Sequence, residues 1–302
     1  MSEYELIKVD AEKYGELKEY FTMRHPGTCE SMILSTYIWK DYYDTRYIKT
    51  GDGIVWVYHN KDGFFSASPV GKIEHIYENF KFIEKYFNEE LGIKLAMYTV
   101  DEEAVKELNL NGDLYVVEED RRYFDYVYDA DKLRTLSGKK YHKKKNHLNS
   151  FLKNYEGRYE YREIDCDSKD DIIKFLNKWK EDRSIEDEYN RVEYESLGIK
   201  YVLENCHMLK MRICAVYIDD AMEAFSIGSY NSTDKTAYIH VEKANPEIRG
   251  LYAYINKEFI TKGFPDALYV NREDDMGLEG LRQAKMSYNP VKLVKKYNIF
   301  QK

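Results

Sequence analysis

The chain has 302 residues, 43% of them hydrophobic, and a formal net charge of −8 at pH 7. That length holds one large domain or two ordinary ones around a real core. The acidic balance argues against a general nucleic-acid coat, and no apolar run reaches the roughly 18 residues that span a membrane. In chain order, residues 4–8 read as a strand and 11–22 as a helix with Leu17, Tyr20 and Phe21 apolar. A second helix is expected over 31–39. Strands follow at 46–48, 54–58 and 64–67, separated by the turn residues Gly51-Asp52-Gly53 and Lys61-Asp62-Gly63. The span 73–91 is a strongly amphipathic helix, 94–99 a strand, and 101–108 a helix capped by Asp101. Strands at 114–117 and 123–128 are expected to pair with each other.

The second half repeats this order. A strand at 158–164 precedes a helix over 168–183, with Ser168 as its expected cap and Ile172, Phe175, Leu176 and Trp179 apolar. Another helix is expected over 194–208. Strands follow at 210–217, 221–230 and 236–242, then a helix with Ile248, Leu251, Ile255, Phe259 and Ile260 apolar. A strand at 267–270, a helix at 277–285 and a strand at 291–297 close the chain. Three expected starts in the second half lie 175, 173 and 176 residues beyond their counterparts. A near-constant offset in element order marks a structural duplication. The expected domains are 1–135 and 158–302, joined by a basic linker helix at 136–157.

The cysteines Cys29, Cys166, Cys206 and Cys214 lack CxxC spacing and fit reduced thiols better than disulfides or zinc ligands. The seven histidines include no HExxH, so no metal site is expected. With no signal peptide visible, the expected location is cytoplasmic and the expected state monomeric. Thirty tyrosines suggest amphipathic packing near a surface or cleft.

Several side chains suggest chemistry. Strict alternation over 236–242 puts His240 and Glu242 on one strand face, and Glu242 at the strand end suits a general base. Lys139, Lys140, Lys143, Lys144 and Lys145 put five positive charges into seven residues. Such a cluster binds phosphates, or else is a solvated helix face paired with Glu118, Glu119 and Asp120. The run Arg272, Glu273, Asp274, Asp275 orients a cationic aminoacyl group, or is a solvated helix start that favours carboxylates.

The element order resembles two tandem GNAT acyltransferase units, as in the Fem peptidyl-transferases and the C-terminal domain of phosphatidylglycerol lysyltransferase. The segments at 136–147, 239–244 and 271–288 resemble an uncharacterised bacterial family, DUF2156, grouped with that domain. The resemblance implies an α/β fold in which each unit is a central mixed sheet flanked by helices. It implies an aminoacyl- or acyltransferase with its site in the second half. The implied donor is aminoacyl-tRNA, and the acceptor an amine, a hydroxyl or a lipid headgroup. An acyl-CoA-dependent N-acetyltransferase and a non-catalytic binding module on the same fold are the alternatives. By resemblance, Arg249 and Gly250 sit where GNAT proteins grip a pyrophosphate, although Glu247 and the spacing depart from that pattern. The Ala284-x-x-x-Tyr288 spacing implies Tyr288 as the acid for the leaving group. Asn271 at the preceding strand end, with Arg272 beside it, falls in the same pattern.

Overall fold

The structure, a computed structural model, describes residues 4–181 and 190–302. The chain divides into two compact units: Met1–Phe124 with Val294–Lys302, and Asp125–Leu293.

In the first unit, β1 (Ile7–Lys8) leads to α1 (Tyr14–Phe21) and α2 (Ile33–Trp39). The strands β2 (Arg46–Lys49), β3 (Gly53–Asn60), β4 (Gly63–Phe65) and β5 (Val70–Gly71) follow. They form an antiparallel sheet in which β5 also pairs with β3. Next come α3 (Ile76–Lys85), β6 (Ala96–Asp101), α4 (Glu102–Leu108) and β7 (Tyr115–Glu119). Asp101 caps α4 as expected: it accepts from the Ala104 amide at 2.9 Å and is paired with Arg24 at 2.7 Å. The core gathers Val55, Val57, Phe80, Ile83, Phe87, Met97 and Ile299.

The second unit contains β8 (Asp125–Asp129), α5 (Ala130–Thr135), α6 (His142–Asn154), β9 (Tyr159–Ile164), α7 (Lys169–Glu181) and α8 (Arg191–Glu204). It continues with β10 (Arg212–Ile218), β11 (Ala221–Asn231), β12 (Thr236–Ala244), α9 (Leu251–Glu258), β13 (Tyr269–Asn271) and α10 (Glu279–Met286). The chain closes with β14 (Lys292–Val294) and β15 (Lys296–Gln301). The larger sheet runs β14-β8-β13-β12-β11-β10-β9. One face packs on α6 and α9 through Tyr126, Phe151, Val216, Ile255 and Phe259. The other receives α7, where Phe175 meets Phe225 edge-on at 5.9 Å.

The duplicated order holds. The pairs α3 and α9, β6 and β13, and α4 and α10 begin at Ile76 and Leu251, Ala96 and Tyr269, and Glu102 and Glu279. Both α3 and α9 end in a π-helical turn, Tyr86–Glu90 and Phe259–Gly263. Such turns are rare enough that their recurrence at one position supports common descent of the halves.

Four expectations change. The strands β7 and β8 do not pair; β7 pairs with β15, and β8 with β13. Each finds its hydrogen-bond partner in a strand of its own unit that lies far along the chain. The boundary therefore falls at 124 rather than 135, the last strand returns to the first unit, and the basic helix belongs to the second. The turn before α7 starts at Cys166, with Asp165 accepting from the Asp167 amide; the expected helix end at Arg183 lies outside the described residues. Cys166 and Cys206 form a disulfide, with their Cα atoms 6.0 Å apart. It ties the start of α7 to the end of α8, a proximity that cysteine spacing cannot reveal. Among the described residues, no helix is long and apolar enough to cross a membrane.

Candidate functional site

Strand β12 pairs in parallel with β13 only over Thr236–Tyr238 against Tyr269–Asn271. Beyond that β12 runs on to Ala244 while β13 has ended, so the two strands part. The pairing with β11 also slips there: Ile227 faces Val241 and Gly228 faces Ile239, leaving His240 opposite no residue. This is a β-bulge, and it reverses the alternation of side chains. Ala237, Ile239 and Ala244 pack in the cluster that includes α9, and Glu242 joins that face through Asn256 of α9 at 3.0 Å. Lys243 turns to the opposite face, pairing with Glu195 of α8 at 2.7 Å and covering Trp179 of α7. His240 contacts Ser229 and Glu273 instead of Glu242's partners. The expectation that His240 and Glu242 share a face is therefore wrong. The extra residue of the bulge separates them.

Around Glu242 the structure gathers Arg272, Tyr288 and Lys144. Arg272 Nη2 donates to Glu242 Oε1 at 2.7 Å, with both side chains nearly buried. The Arg272 guanidinium lies 4.9 Å from the centroid of the Tyr288 ring, and Lys144 Nζ lies 3.9 Å from the same centroid. Tyr128 meets that ring edge-on at 6.5 Å. Burial pushes the Tyr288 phenol up to about 12 against the pull of Arg272, so it stays protonated. Burial, with Arg272 adding to it, brings the Lys144 ammonium down to about 8 despite Glu242. Arg272 Nη1 is buried without a hydrogen-bond partner among the described residues. Buried donors of this kind are ordinarily satisfied, so this one calls for an oxygen acceptor, from water or from a ligand.

The loop after β13 is held from within. Asn271 donates to Asp125 at 3.0 Å and accepts from the Glu273 amide at 2.7 Å, so both ends of its amide group are engaged inside the fold. Lys285 Nζ donates to the carbonyls of Arg272 and Asp274. Asp275, with a fully buried side chain, accepts from Arg282, Tyr126 and the Gly277 amide. Burial pushes the Asp275 carboxyl up, but those hydrogen bonds outweigh it and hold it at about 2. Its folded value lies below the unfolded one, so its contribution is full above about pH 4 and is lost as pH falls towards 2. The partner Arg282 is partly exposed and screened, so the contribution is about 1–2 kcal/mol. Asp275→Asn should thus cost stability at pH 5 and little at pH 2, by chemical denaturation. An equal cost at both pH values would refute this account.

The basic cluster divides in two. Lys139, Lys140, Lys143 and Lys145 are exposed, while Lys144 turns inward to Tyr288. The turn follows helical spacing, because Tyr141, Leu148 and Phe151 anchor the buried side of α6. Arg249 is exposed, and Gly250 opens α9 at φ +92°. A Cβ on Gly250 would overlap the His147 carbonyl of α6, so glycine lets the two helices approach. The amides of Glu247, Ile248 and Leu251 are already bonded within the loop. That leaves fewer donors for a pyrophosphate than the resemblance implies. Asn256, Ser229 and Glu273 take places here that periodicity did not reveal. The apolar rhythm of α6 did carry a signal for Lys144, three residues after buried Tyr141 and four before buried Leu148.

Comparison with known proteins agrees with this fold. The chain matches the family described as "Phosphatidylglycerol lysyltransferase, C-terminal" over residues 23–300. An uncharacterized protein of Mycoplasmoides gallisepticum is 29% identical over 176 residues, 57% of this chain and 54% of that protein. The match thus spans about half the length of that relative. A conserved protein of unknown function from Bacteroides thetaiotaomicron superposes with a TM-score of 0.86 at 27% identity, covering 100% of both chains. A structure named as a lysylphosphatidylglycerol synthetase C-terminal domain (DUF2156), from Agrobacterium fabrum, gives 0.67 at 13% identity over 97% of this chain and 92% of that one. A tandem GNAT protein from the clavulanic acid biosynthesis pathway shares the fold at 0.50 and 8% identity, over 99% and 98% of the chains. Because the family match runs nearly end to end, this chain belongs to the phosphatidylglycerol lysyltransferase C-terminal family, built on a tandem GNAT fold.

Proposed function

We propose that the chain is an aminoacyl- or acyltransferase whose reaction runs in the second unit. It moves an aminoacyl group from aminoacyl-tRNA to an amine or hydroxyl acceptor, such as a small amine or a lipid headgroup. The observation that carries this reading is the unpartnered Arg272 Nη1 beside Lys144, over the ring of Tyr288. Acyl transfer builds negative charge on the carbonyl oxygen, and two cations in a nearly dry site stabilise that charge. Glu242 takes the proton of the acceptor, and its bond to Arg272 fixes the carboxylate in place. Tyr288, protonated at neutral pH, gives a proton to the departing oxygen. The phosphates of the donor lie along the exposed lysines of α6 and the turn before it. Family membership supports acyl or aminoacyl transfer in general. The occupied amides near Gly250 disfavour acyl-CoA as the donor.

Donor binding tests this reading. The protein should bind tRNA with a strong salt dependence. Lys140→Ala and Lys143→Ala should each lower the log–log salt slope by roughly 0.7–0.9, one phosphate contact apiece. Lys144→Ala should leave the slope unchanged, because that side chain faces Tyr288. Absence of tRNA binding at low salt would remove the aminoacyl-tRNA donor from the proposal. Mixing the protein with tRNA charged with a labelled amino acid should transfer the label to an added amine, and no transfer to any acceptor would favour a binding module.

A further inference from the structure

We propose that Ser229, His240 and Glu273 form a second catalytic centre, a serine nucleophile that opens small carboxylic esters through an acyl-enzyme. Ser229 Oγ lies 2.7 Å from His240 Nε2, and His240 Nδ1 lies 2.8 Å from Glu273 Oε1. These are the contacts of a nucleophile–histidine–carboxylate relay, on the same two ring nitrogens. The carboxylate accepts the Nδ1 proton and thereby fixes the tautomer, which leaves Nε2 free to accept from the serine hydroxyl. The bulge makes this possible: His240 has no opposing residue and reaches Ser229, which pairs with Tyr238. The Tyr238 ring lies nearly parallel to the imidazole, 15° apart in plane with the centroids 6.4 Å apart.

Glu273 is presented by a constrained backbone. Its φ is +56°, in the left-handed region, its amide donates to Asn271 and its carbonyl accepts from Tyr126. A non-glycine residue held there costs about 1–3 kcal/mol, and such strain gathers at functional positions. The His240 side chain is 1% exposed and that of Glu273 17%, so their hydrogen bond is largely shielded from water. Ser229 lies on the sheet face that receives α7, and Glu242 lies on the α9 face. The Ser229 hydroxyl therefore lies across the sheet from Glu242, while Glu273 follows Arg272 directly in the chain.

The steps balance without a further reactant. Ser229 Oγ attacks the ester carbonyl carbon as Nε2 takes the hydroxyl proton. The carbon–alkoxy bond breaks, and the imidazolium returns that proton to the departing alcohol. Water then adds to the acyl-serine with its proton passing to Nε2. The acyl–Oγ bond breaks, Ser229 regains its proton, and the carboxylic acid leaves.

The full chain should be treated with a fluorophosphonate probe and digested, and separately mixed with p-nitrophenyl acetate. One adduct on the peptide carrying Ser229 is expected, with a burst of about one nitrophenol per chain. Ser229→Ala and His240→Ala should abolish both, and Glu273→Gln should slow labelling by at least about 10²-fold. Ser229→Cys should retain the fold and move reactivity to a thiol alkylator at that position. Labelling at Ser229 and transfer from aminoacyl-tRNA are separate readouts on the wild-type chain, so failure of the transfer reading leaves this one standing, and the reverse. No adduct on the wild-type chain, or an adduct on another residue, overturns the proposal even where a variant fails to fold. So does an undiminished burst in Ser229→Ala.

Discussion

Tyr288→Phe and Glu242→Gln are each expected to lower aminoacyl transfer by about 10²–10⁴-fold, the usual worth of a positioned acid or base. Tyr288→Phe removes one oxygen and leaves the ring against Lys144 and Arg272. Its loss should therefore fall on kcat, with stability and donor affinity nearly intact. Glu242→Gln keeps an amide oxygen for Arg272 Nη2 but removes the charge. A stability cost of about 1–3 kcal/mol should accompany it, so turnover must be read where circular dichroism shows the fold intact. The two effects should not multiply in the double variant, because one reacting centre lies between the groups. Wild-type transfer by both single variants would end the assignment of Glu242 and Tyr288 as the working pair.

Gly250→Ala should be among the most destabilising single changes in the second unit. The residue sits at φ +92°, where an L side chain is strained, and the new methyl group would run into the His147 carbonyl and the Cβ of Phe151. Strain of about 1–3 kcal/mol and overpacking of similar size sum to about 2–6 kcal/mol. The consequence extends to chemistry. Pushing α6 away from α9 would move Lys144, on α6, relative to Asn256, on α9, the partner of Glu242. Denaturant unfolding should show the loss, and aminoacyl transfer should fall with it. A change under about 0.5 kcal/mol would mean that the two helices adjust freely and that the glycine holds no close contact.

Local chemistry wrote much of the fold into the chain. Asp101 was legible as a cap because an aspartate ahead of an amphipathic run has one strong use, accepting from an early helix amide. Apolar spacing every three or four residues placed α3, α7 and α9, and the offset between the halves placed the duplication. These are properties of residues within a few positions of one another, so one chain read alone reveals them. Glu242, Arg272 and Tyr288 were legible as candidates because residue type and spacing matched a pattern.

What depends on partners distant in sequence was not legible. Strands β7 and β8 looked like a hairpin, yet each is completed by a strand more than a hundred residues later. Lys144 read as one of five equal lysines until the packing of α6 turned it alone towards Tyr288. Cys166 and Cys206 met only because α7 and α8 bring their ends together. The bulge at His240 shows the reason most plainly. Alternation assumes one residue for each opposing residue, and only the register against β11 reveals that β12 carries one more. The sequence by itself determined the elements, their order and the candidate side chains. The tertiary structure alone decided which strands pair and which face each side chain takes, because register is set between strands and not along one.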